Sequence, residues 1–474
     1  MDRLSAARGG QRGEPAPRTA KARKILVLVC CLGAFVAFLD STIVNVAFPD
    51  IAKTFATSEL STLSWVLNGY NVVLAALLLP AGRVADRLGH RRLFTVGLVV
   101  FTGASVMCGV ATSAAVLIAA RLVQATGAAI LVPTSLALLM PMFPLAKRLV
   151  AITIWTAAAA LAAGIGPTLG GLLTEHWSWR LVFLVNIPIG IVTAWAARSL
   201  TEQRDRSGLT PDALGATLLA ASLGLLALGL VKGPDWDWAS PATVGCLAGG
   251  AALLGLVLVR SSRHPAPVLA MDLLTSSNAV GGNVGSLLFA ATFYATILNN
   301  VLFLTGHWHW SVLASGLAMT PPPIATAVVA RPASRLAERY GDRLVIVAGC
   351  AVYIAGVLLL IWGAGRGPDF VRHWLPGAAV MGIGGGLVFP VLASVALAQV
   401  EPARLATATA ANAAFRQLGA VLGTALVVSI LTANAGDPQA GANAAWYLVI
   451  GFALAVAVLA ALLVRRPGGD RVPA

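Results

Sequence analysis

Charge is what this sequence has least of. Of 474 residues only 11% are Asp, Glu, Lys or Arg, while 58% are apolar. Soluble domains carry about 25% charged and about 45–50% apolar residues, so an ordinary water-soluble fold is excluded. Lysine is scarcest: none of the five (Lys21, Lys24, Lys53, Lys147, Lys232) follows a glycine, so there is no GxxxxGK[ST] loop and no nucleotide partner is expected. The glycine-rich GIGGGLVFP (382 to 390) lies within an apolar run with no strand before it, and is not a phosphate loop. The five cysteines (Cys30, Cys31, Cys108, Cys246, Cys350) fall inside apolar stretches without CxxC spacing and read as packing residues. His307 and His309 form a lone HxH, short of a metal site's ligand set. No GxSxG elbow or HExxH helix is present, and the loops are short and poor in His, Asp and Glu. No enzyme, catalytic residue, metal or cofactor is therefore expected.

Long apolar runs are what the sequence has instead. A spanning helix takes roughly 20 apolar residues, and runs bounded by charge, proline or glycine predict fourteen. They lie near 25–48, 62–81, 93–112, 115–142, 149–173, 181–199, 212–232, 241–259, 278–304, 311–330, 344–363, 375–398, 404–433 and 445–464. The formal charge of +14 would suggest nucleic acid in a soluble protein. Here 26 of the 33 basic residues fall in the N-terminal tail and the loops on its side, five lie opposite, and Arg121 and Arg416 sit inside spans. That asymmetry predicts both termini in the cytoplasm and no nucleic-acid partner. The basic tail followed by an apolar run imitates a signal peptide, but the run is too long and contains Asp40, so it is expected to be an uncleaved first span.

Asp86-Arg87-Leu88-Gly89 aligns with Glu338-Arg339-Tyr340-Gly341, and Arg83 with Arg335, in corresponding loops of two six-helix blocks. Such duplication is the architecture of many secondary transporters. The expected fold is an all-α membrane protein of two six-helix bundles plus two additional central helices. Its segments are a basic tail (1–24), a first bundle (25–200), a linker (201–211), the extra helices (212–259), a second linker (260–277), a second bundle (278–464) and a tail (465–474).

Eighteen of the nineteen acidic residues can be placed in a loop, a tail or a helix end; Asp40 alone is deep in a span. A carboxylate at the helix centre costs about 2.5–3.5 kcal/mol on the insertion scale. Loss of water also disfavours the charged form of a carboxyl, the condition for taking up and releasing protons. Asp40 is the candidate proton carrier; the alternative is a structural carboxylate satisfied by Ser41, Thr42 or a neighbouring helix. Arg121 needs a partner for the same reason, and Asp40 is the obvious one, with Gln124 one turn away at i+3. A purely structural polar clamp is the other reading. Arg416, with Asn412 and Gln417 nearby, is a second intramembrane cation, either in a cavity or snorkelling to the cytoplasmic face. In GRVADRLGHRR (82 to 92), Gly82 and Gly89 permit a tight turn, and Asp86 can pair with Arg87 and Arg91 in one packing of the halves. In GIGPTLGG (164 to 171), Gly166 and Gly170 share a face and Pro167 bends the helix, as close helix contact or ion blocking would require.

Together LDSTIVNVAFPDI (39 to 51), GRVADRLGHRR, RLVQATGAA (121 to 129), GIGPTLGG and WRLVFLVNIPIG (179 to 190) resemble the major facilitator superfamily, specifically its fourteen-span drug:proton antiporters. The resemblance runs from about Ile25 to Val464. It implies two rocking bundles in the plasma membrane, a cytoplasmic latch at Gly82, Asp86, Arg87, Gly89 and Arg91, and proton traffic around Asp40 and Arg121. It also implies an antiporter signature at Gly164, Gly166, Pro167, Gly170 and Gly171. Two departures stand out: Ala125 replaces the usual glycine of the fourth-span motif, and the second latch copy has Ser334 and Glu338 where the first has Gly82 and Asp86. The expected activity is export of small amphipathic compounds (drugs, antibiotics or related metabolites) in exchange for protons, by a monomer in the lipid bilayer; uptake by symport or facilitation is the alternative. Helix position alone suggests a pocket of Trp65, Asn68, Tyr70, Gln124, Phe289, Tyr294, Asn299, Asn412 and Arg416. A single deep carboxylate favours neutral or singly cationic cargo.

Overall fold

The computed structural model describes residues 20–143, 148–200, 212–264, 267, 276–398, 400 and 405–464. Its elements are α1 (Ala20–Thr54), short α2 (Leu60–Leu63), α3 (Trp65–Leu88), α4 (His90–Gly109), α5 (Ala114–Leu139), α6 (Arg148–His176), short α7 (Leu181–Leu184), α8 (Asn186–Ala197), α9 (Ala213–Trp236) and α10 (Pro241–Arg263). There follow α11 (Ser277–Gly306), short α12 (Val312–Ala318), α13 (Pro321–Tyr340), α14 (Asp342–Ala364), α15 (Leu375–Leu397), α16 (Leu405–Ala433) and α17 (Pro438–Leu463). Twelve helical segments among the described residues are long and apolar enough to cross a membrane. The runs expected at 149–173 and 181–199 are α6 and the broken pair α7 and α8.

Helix starts follow from capping. Ser113, Ser240, Ser276 and Ser311 each accept an N–H of the first turn through the side-chain oxygen, as do the carboxylates of Asp212, Asp369 and Asp437. In lipid an orphan N–H has no water to turn to, so these caps fix where spans begin. Prolines stand inside α1 (Pro49), α3 (Pro80), α5 (Pro133), α6 (Pro167), α13 (Pro332) and α15 (Pro390). In membrane helices such prolines are tolerated where neighbouring helices, Ser/Thr side chains or local backbone adjustment re-satisfy the freed carbonyl.

The repeat seen in sequence recurs in the backbone. Gly89 between α3 and α4 has φ 106°, and Gly341 between α13 and α14 has φ 93°. Each donates its N–H to the carbonyl four residues earlier, Ala85 and Ala337 respectively, at 2.8 Å. Both turns need a left-handed residue, which only glycine supplies without strain.

Two interior clusters hold most of the buried side chains. One joins α1, α3, α4 and α5, and the larger runs through α11, α14, α15 and α17 and reaches back to α1. Helix α9 packs on both α3 and α16, where Leu219, Leu223 and Ala227 meet Val72, Ala75, Ala76 and Val421. It is pinned at both ends. Asp212 pairs with Arg260 of α10 at 2.8 Å, while Lys232 reaches Glu59 at 2.8 Å and Ser61 at 2.9 Å. Ser429 of α16 donates to the Leu230 carbonyl at 2.7 Å. Burial pushes the Asp212 carboxyl up, but the Arg260 guanidinium and the Gly215 N–H outweigh it and hold it below the ordinary carboxylate value.

Candidate functional site

Asp40 lies twenty residues into α1 and is completely buried. Its Oδ2 accepts from Arg121 Nη1 of α5 in an ion pair whose two side chains are 0% and 1% exposed. Gln124 Nε2 donates to Asp40 Oδ1 at 2.8 Å and also to Ser105 Oγ of α4 at 2.8 Å. Gln124 Oε1 in turn accepts from Arg121 Nη1 at 2.7 Å. Asn186, the first residue of α8, donates to Asp40 Oδ1 at 3.2 Å. The guanidinium is fixed from behind: Arg121 Nε donates to the Val66 carbonyl at 3.0 Å, and its Cζ stands 4.1 Å from the Tyr70 ring centroid and 5.6 Å from that of Phe183. Tyr70 donates its hydroxyl to the Ala37 carbonyl at 3.2 Å.

Six helical elements thus converge on one carboxylate. Every polar partner of Asp40 among the described residues is a donor, which suits an ionised acid. Adding a proton turns one acceptor position into a donor. Protonation also removes the negative charge, so all three donors lose a charge-assisted bond and the new O–H needs an acceptor of its own.

The glycine motif sits directly behind this site. On α6, Gly166 faces Thr42, and Gly170 faces the Ile43 carbonyl, so close that a Cβ on Gly170 would stand 2.8 Å from that oxygen. The opposite contact is to α12: a Cβ on Gly171 would lie 2.8 Å from the Val312 carbonyl oxygen and 2.9 Å from Leu313 Cα, and Gly316 packs on Pro167. Gly164 is looser, its nearest neighbour being Pro323. Farther along the seam Thr168 and Thr320 share a hydrogen bond of 2.6 Å, and Glu175 Oε2 accepts the Leu313 N–H at 2.7 Å. Ser311 and that N–H hold the Glu175 carboxyl below its usual range. Helix α6 therefore touches α1 two residues from Asp40 on one side and α12 on the other.

The structure brings Asp40, Arg121, Gln124 and Tyr70 together, sets Tyr294 within electrostatic range of Tyr70, and gives most of the remaining candidates other partners. Asn68 is buried on α3 and donates to Ser64 Oγ at 3.4 Å. Trp65 packs against the apolar cluster shared by α3, α9 and α16. Phe289 lies in a ring cluster of the later helices, 5.3 Å from Tyr353 and 4.8 Å from Phe389. Asn299 donates to the Ala442 carbonyl of α17 at 3.0 Å. Asn412 donates to Asn283 Oδ1 at 3.1 Å and Ser286 Oγ at 3.0 Å, joining α16 to α11. Tyr294 and Arg416 are partly buried and within electrostatic range of each other, and Tyr294 is also in range of Tyr70. In the turn at 82–91, Gly82 meets Pro133 in ordinary contact, Gly89 makes the left-handed turn and Arg87 is exposed. Arg91 is half-buried, and the side chain of Asp86 falls outside the described residues. A pocket of about 480 Å³ opens beside the second copy of this turn, lined by Glu338, Arg339, Asp342 and Ser394, far in sequence from Asp40.

Ser105, Asn186 and the Val66 carbonyl belong to the site although sequence reasoning did not single them out. Asn186 and Ser105 are neutral polar residues inside apolar runs, and that is the signal they offer.

Residues 30–259 and 283–474 match the sequence profile of the Major Facilitator Superfamily. The multidrug resistance protein Stp of Mycobacterium tuberculosis is 35% identical over 416 residues, covering 86% of this chain and 76% of that protein. The cephamycin export protein CmcT of Amycolatopsis lactamdurans is 35% identical over 472 residues, 97% of this chain and 96% of its own length. Among solved structures, a bacterial homologue of the human lysosomal transporter Spinster aligns with TM-score 0.66 at 17% identity, over 94% of this chain and 98% of that one.

Proposed function

The chain belongs to the Major Facilitator Superfamily, and on that premise we propose that it is a proton-coupled antiporter exporting small amphipathic compounds by alternating access. It is an integral plasma membrane protein and a drug efflux transporter; what is proposed is the coupling, the topology and the residues. The arrangement of basic loops supports fourteen spans with both termini in the cytoplasm, as two six-helix bundles with α9 and α10 between them. On that reading the seam between α6 and α12 is an outer gate, and the turn at Gly82–Arg91 a cytoplasmic latch. One chain contains the whole Asp40 site, so a monomer suffices.

The observation that carries the proposal is the buried Asp40, met by three donors and paired with Arg121, on the helix against which Gly166 and Gly170 pack. Protonation removes the charge that holds Arg121 and weakens the bonds from Arg121, Gln124 and Asn186. The rearrangement falls two residues from Thr42, where α1 meets α6, and α6 is the helix that closes on α12. Ionisation of Asp40 thereby biases the outer gate: the protonated form turns inward, releases its proton and loads cargo. One net charge moved across about 100 mV supplies ~2.3 kcal/mol, enough for roughly a fiftyfold substrate gradient.

Everted vesicles containing Asp40→Asn test this. Wild-type vesicles are expected to move an amphipathic dye with a pH dependence that a protonophore abolishes, whereas the variant loses the proton-driven component. Full proton-driven transport by Asp40→Asn rules the mechanism out.

A further inference from the structure

The deep acid of this protein is not available to cargo. Asp40 is enclosed by Arg121, Gln124 and Asn186, and its charge is cancelled by the guanidinium it holds. A cationic compound would have to displace a buried arginine to reach it. The other intramembrane charge is in the opposite condition. Arg416 lies within the apolar span of α16 and has no hydrogen bond or ion pair among the described residues. The described titratable group within its electrostatic range is the neutral hydroxyl of Tyr294.

Snorkelling would account for Arg416 if it faced lipid, but its turn of α16 faces protein. Asn412 below it is tied to Asn283 and Ser286 of α11, and Ala413, Ala414, Gln417 and Ala420 around it are buried. Ala413 and Ala414 join the cluster formed by α1, α3, α4 and α5, and Leu418 packs with α3 and α9. Arg416 therefore stands where the two halves meet. Gln417 Oε1, on the same turn, is buried without a partner. Tyr294 lies in range of both Arg416 and Tyr70, and Tyr70 carries Arg121 on its ring face. The polar residues thus run from the Asp40 site across the interface to an uncompensated cation. Arg416 is only partly buried, which leaves it open to an interior space rather than sealed; charges within spans are normally paired, and a missing partner at an internal interface points to one that arrives with the ligand.

We propose that Arg416 anchors the carboxylate of the exported compound, so that this chain carries amphipathic monocarboxylates rather than cations. The inference rests on the reading of the chain as an exporter and names its substrate class. A guanidinium matches a carboxylate through two parallel N–H donors, and the nearby Tyr294 hydroxyl is a further potential donor. Export of an anion also moves with a negative-inside membrane potential. Arg416 stays cationic throughout the cycle, so proton and cargo do not compete for one group. Their exchange is enforced by the movement of α6 on α12.

The test uses the purified full-length chain in mild detergent, titrated with 1-pyrenebutyrate and, separately, with its neutral primary amide. Energy transfer from the protein's tryptophans to pyrene reports binding. Wild type is expected to bind the acid roughly ten- to a hundredfold more tightly than the amide, the range for a charge-assisted hydrogen-bonded pair. Arg416→Gln brings the two affinities together by weakening the acid alone, and Arg416→Lys keeps part of the preference. Equal wild-type affinity for acid and amide, failure of the acid to bind, or equal weakening of both probes by Arg416→Gln overturns the proposal. If Arg416→Gln does not fold, the wild-type ratio and Arg416→Lys decide. Asp40→Asn is expected to keep the preference for the acid while losing proton-driven flux. A coupling failure in vesicles with the preference intact therefore counts against the antiport mechanism and not against this assignment.

Discussion

Gly171→Ala is the smallest change that tests whether α6 and α12 form the outer gate. The new methyl carbon would sit 2.8 Å from the Val312 carbonyl oxygen and 2.9 Å from Leu313 Cα. Ordinary contacts there begin about half an ångström farther out. Both obstacles are backbone, so neither can swing aside as a long side chain does, and the two helices have to part. Overpacking of this kind costs about 1–3 kcal/mol. The strain exists only while the gate is shut, so it shifts the closed-to-open ratio by roughly five- to 140-fold, each 1.4 kcal/mol being a factor of ten. Thr320, deeper in the seam and hydrogen-bonded to Thr168, is the reporter position. In a background with the half-buried Cys246 changed to Ser, Thr320→Cys is labelled on intact cells with a membrane-impermeant maleimide, with and without Gly171→Ala. Labelling is expected to accelerate about tenfold in the double variant. Gly103→Ala, which meets nothing within 4 Å, is the control and leaves the rate unchanged. An unaltered labelling rate with Gly171→Ala refutes the gate.

Removing one partner of a buried ion pair costs about 3–5 kcal/mol. Arg121→Leu and Asp40→Asn are therefore each expected to lower thermal stability in detergent, and Asp40→Asn/Arg121→Leu by less than the sum, as a double-mutant cycle on melting temperature would show. Gly89→Ala forces a left-handed turn on a residue with a Cβ and should cost roughly 1–2 kcal/mol, read as a drop in melting temperature and yield. Glu175→Gln weakens the acceptor at the first turn of α12 and should speed Thr320→Cys labelling only two- to fivefold, an exposed interaction that salt screens further. The Asp212 carboxyl is held below its ordinary 3.8, so its contribution is fully present above that pH and fades as the pH falls through the lower folded value. Melting temperature followed from pH 6 to pH 3 should fall less steeply in Asp212→Asn, which starts lower.

The apolar helices were legible because length and lack of charge are properties of the run itself, independent of what it packs against; twelve among the described residues are long and apolar enough to cross a membrane. Asp40 and Arg121 were legible for a related reason: an ion in oil has to find its opposite, and each was the obvious partner for the other. Gln124 followed from its place one turn along α5. Asn186 and Ser105 were not, since a neutral amide or hydroxyl in an apolar run is inexpensive and nothing in sequence says which distant span it meets. The facing of Phe289 and Asn299 toward other later helices was equally hidden. Helices apolar on every side have no stripe to mark their inner face. Glu175 sits at a helix end, where acids are ordinary, and its contact with α12 depends on helices separated by more than a hundred residues.

Helix α9 is held to α2 through Lys232 and to α16 through Ser429, one attachment in each half of the molecule. On the proposed alternating-access reading the two halves tilt against one another, and two such bodies cannot both keep a fixed grip on a rod lying across their joint. One of these attachments has to slip on each stroke, or the rod must ride with one body and drag along the other. On that reading the added helices are a brake on how far the halves swing, and loosening either grip should change the rate of efflux without touching what is carried.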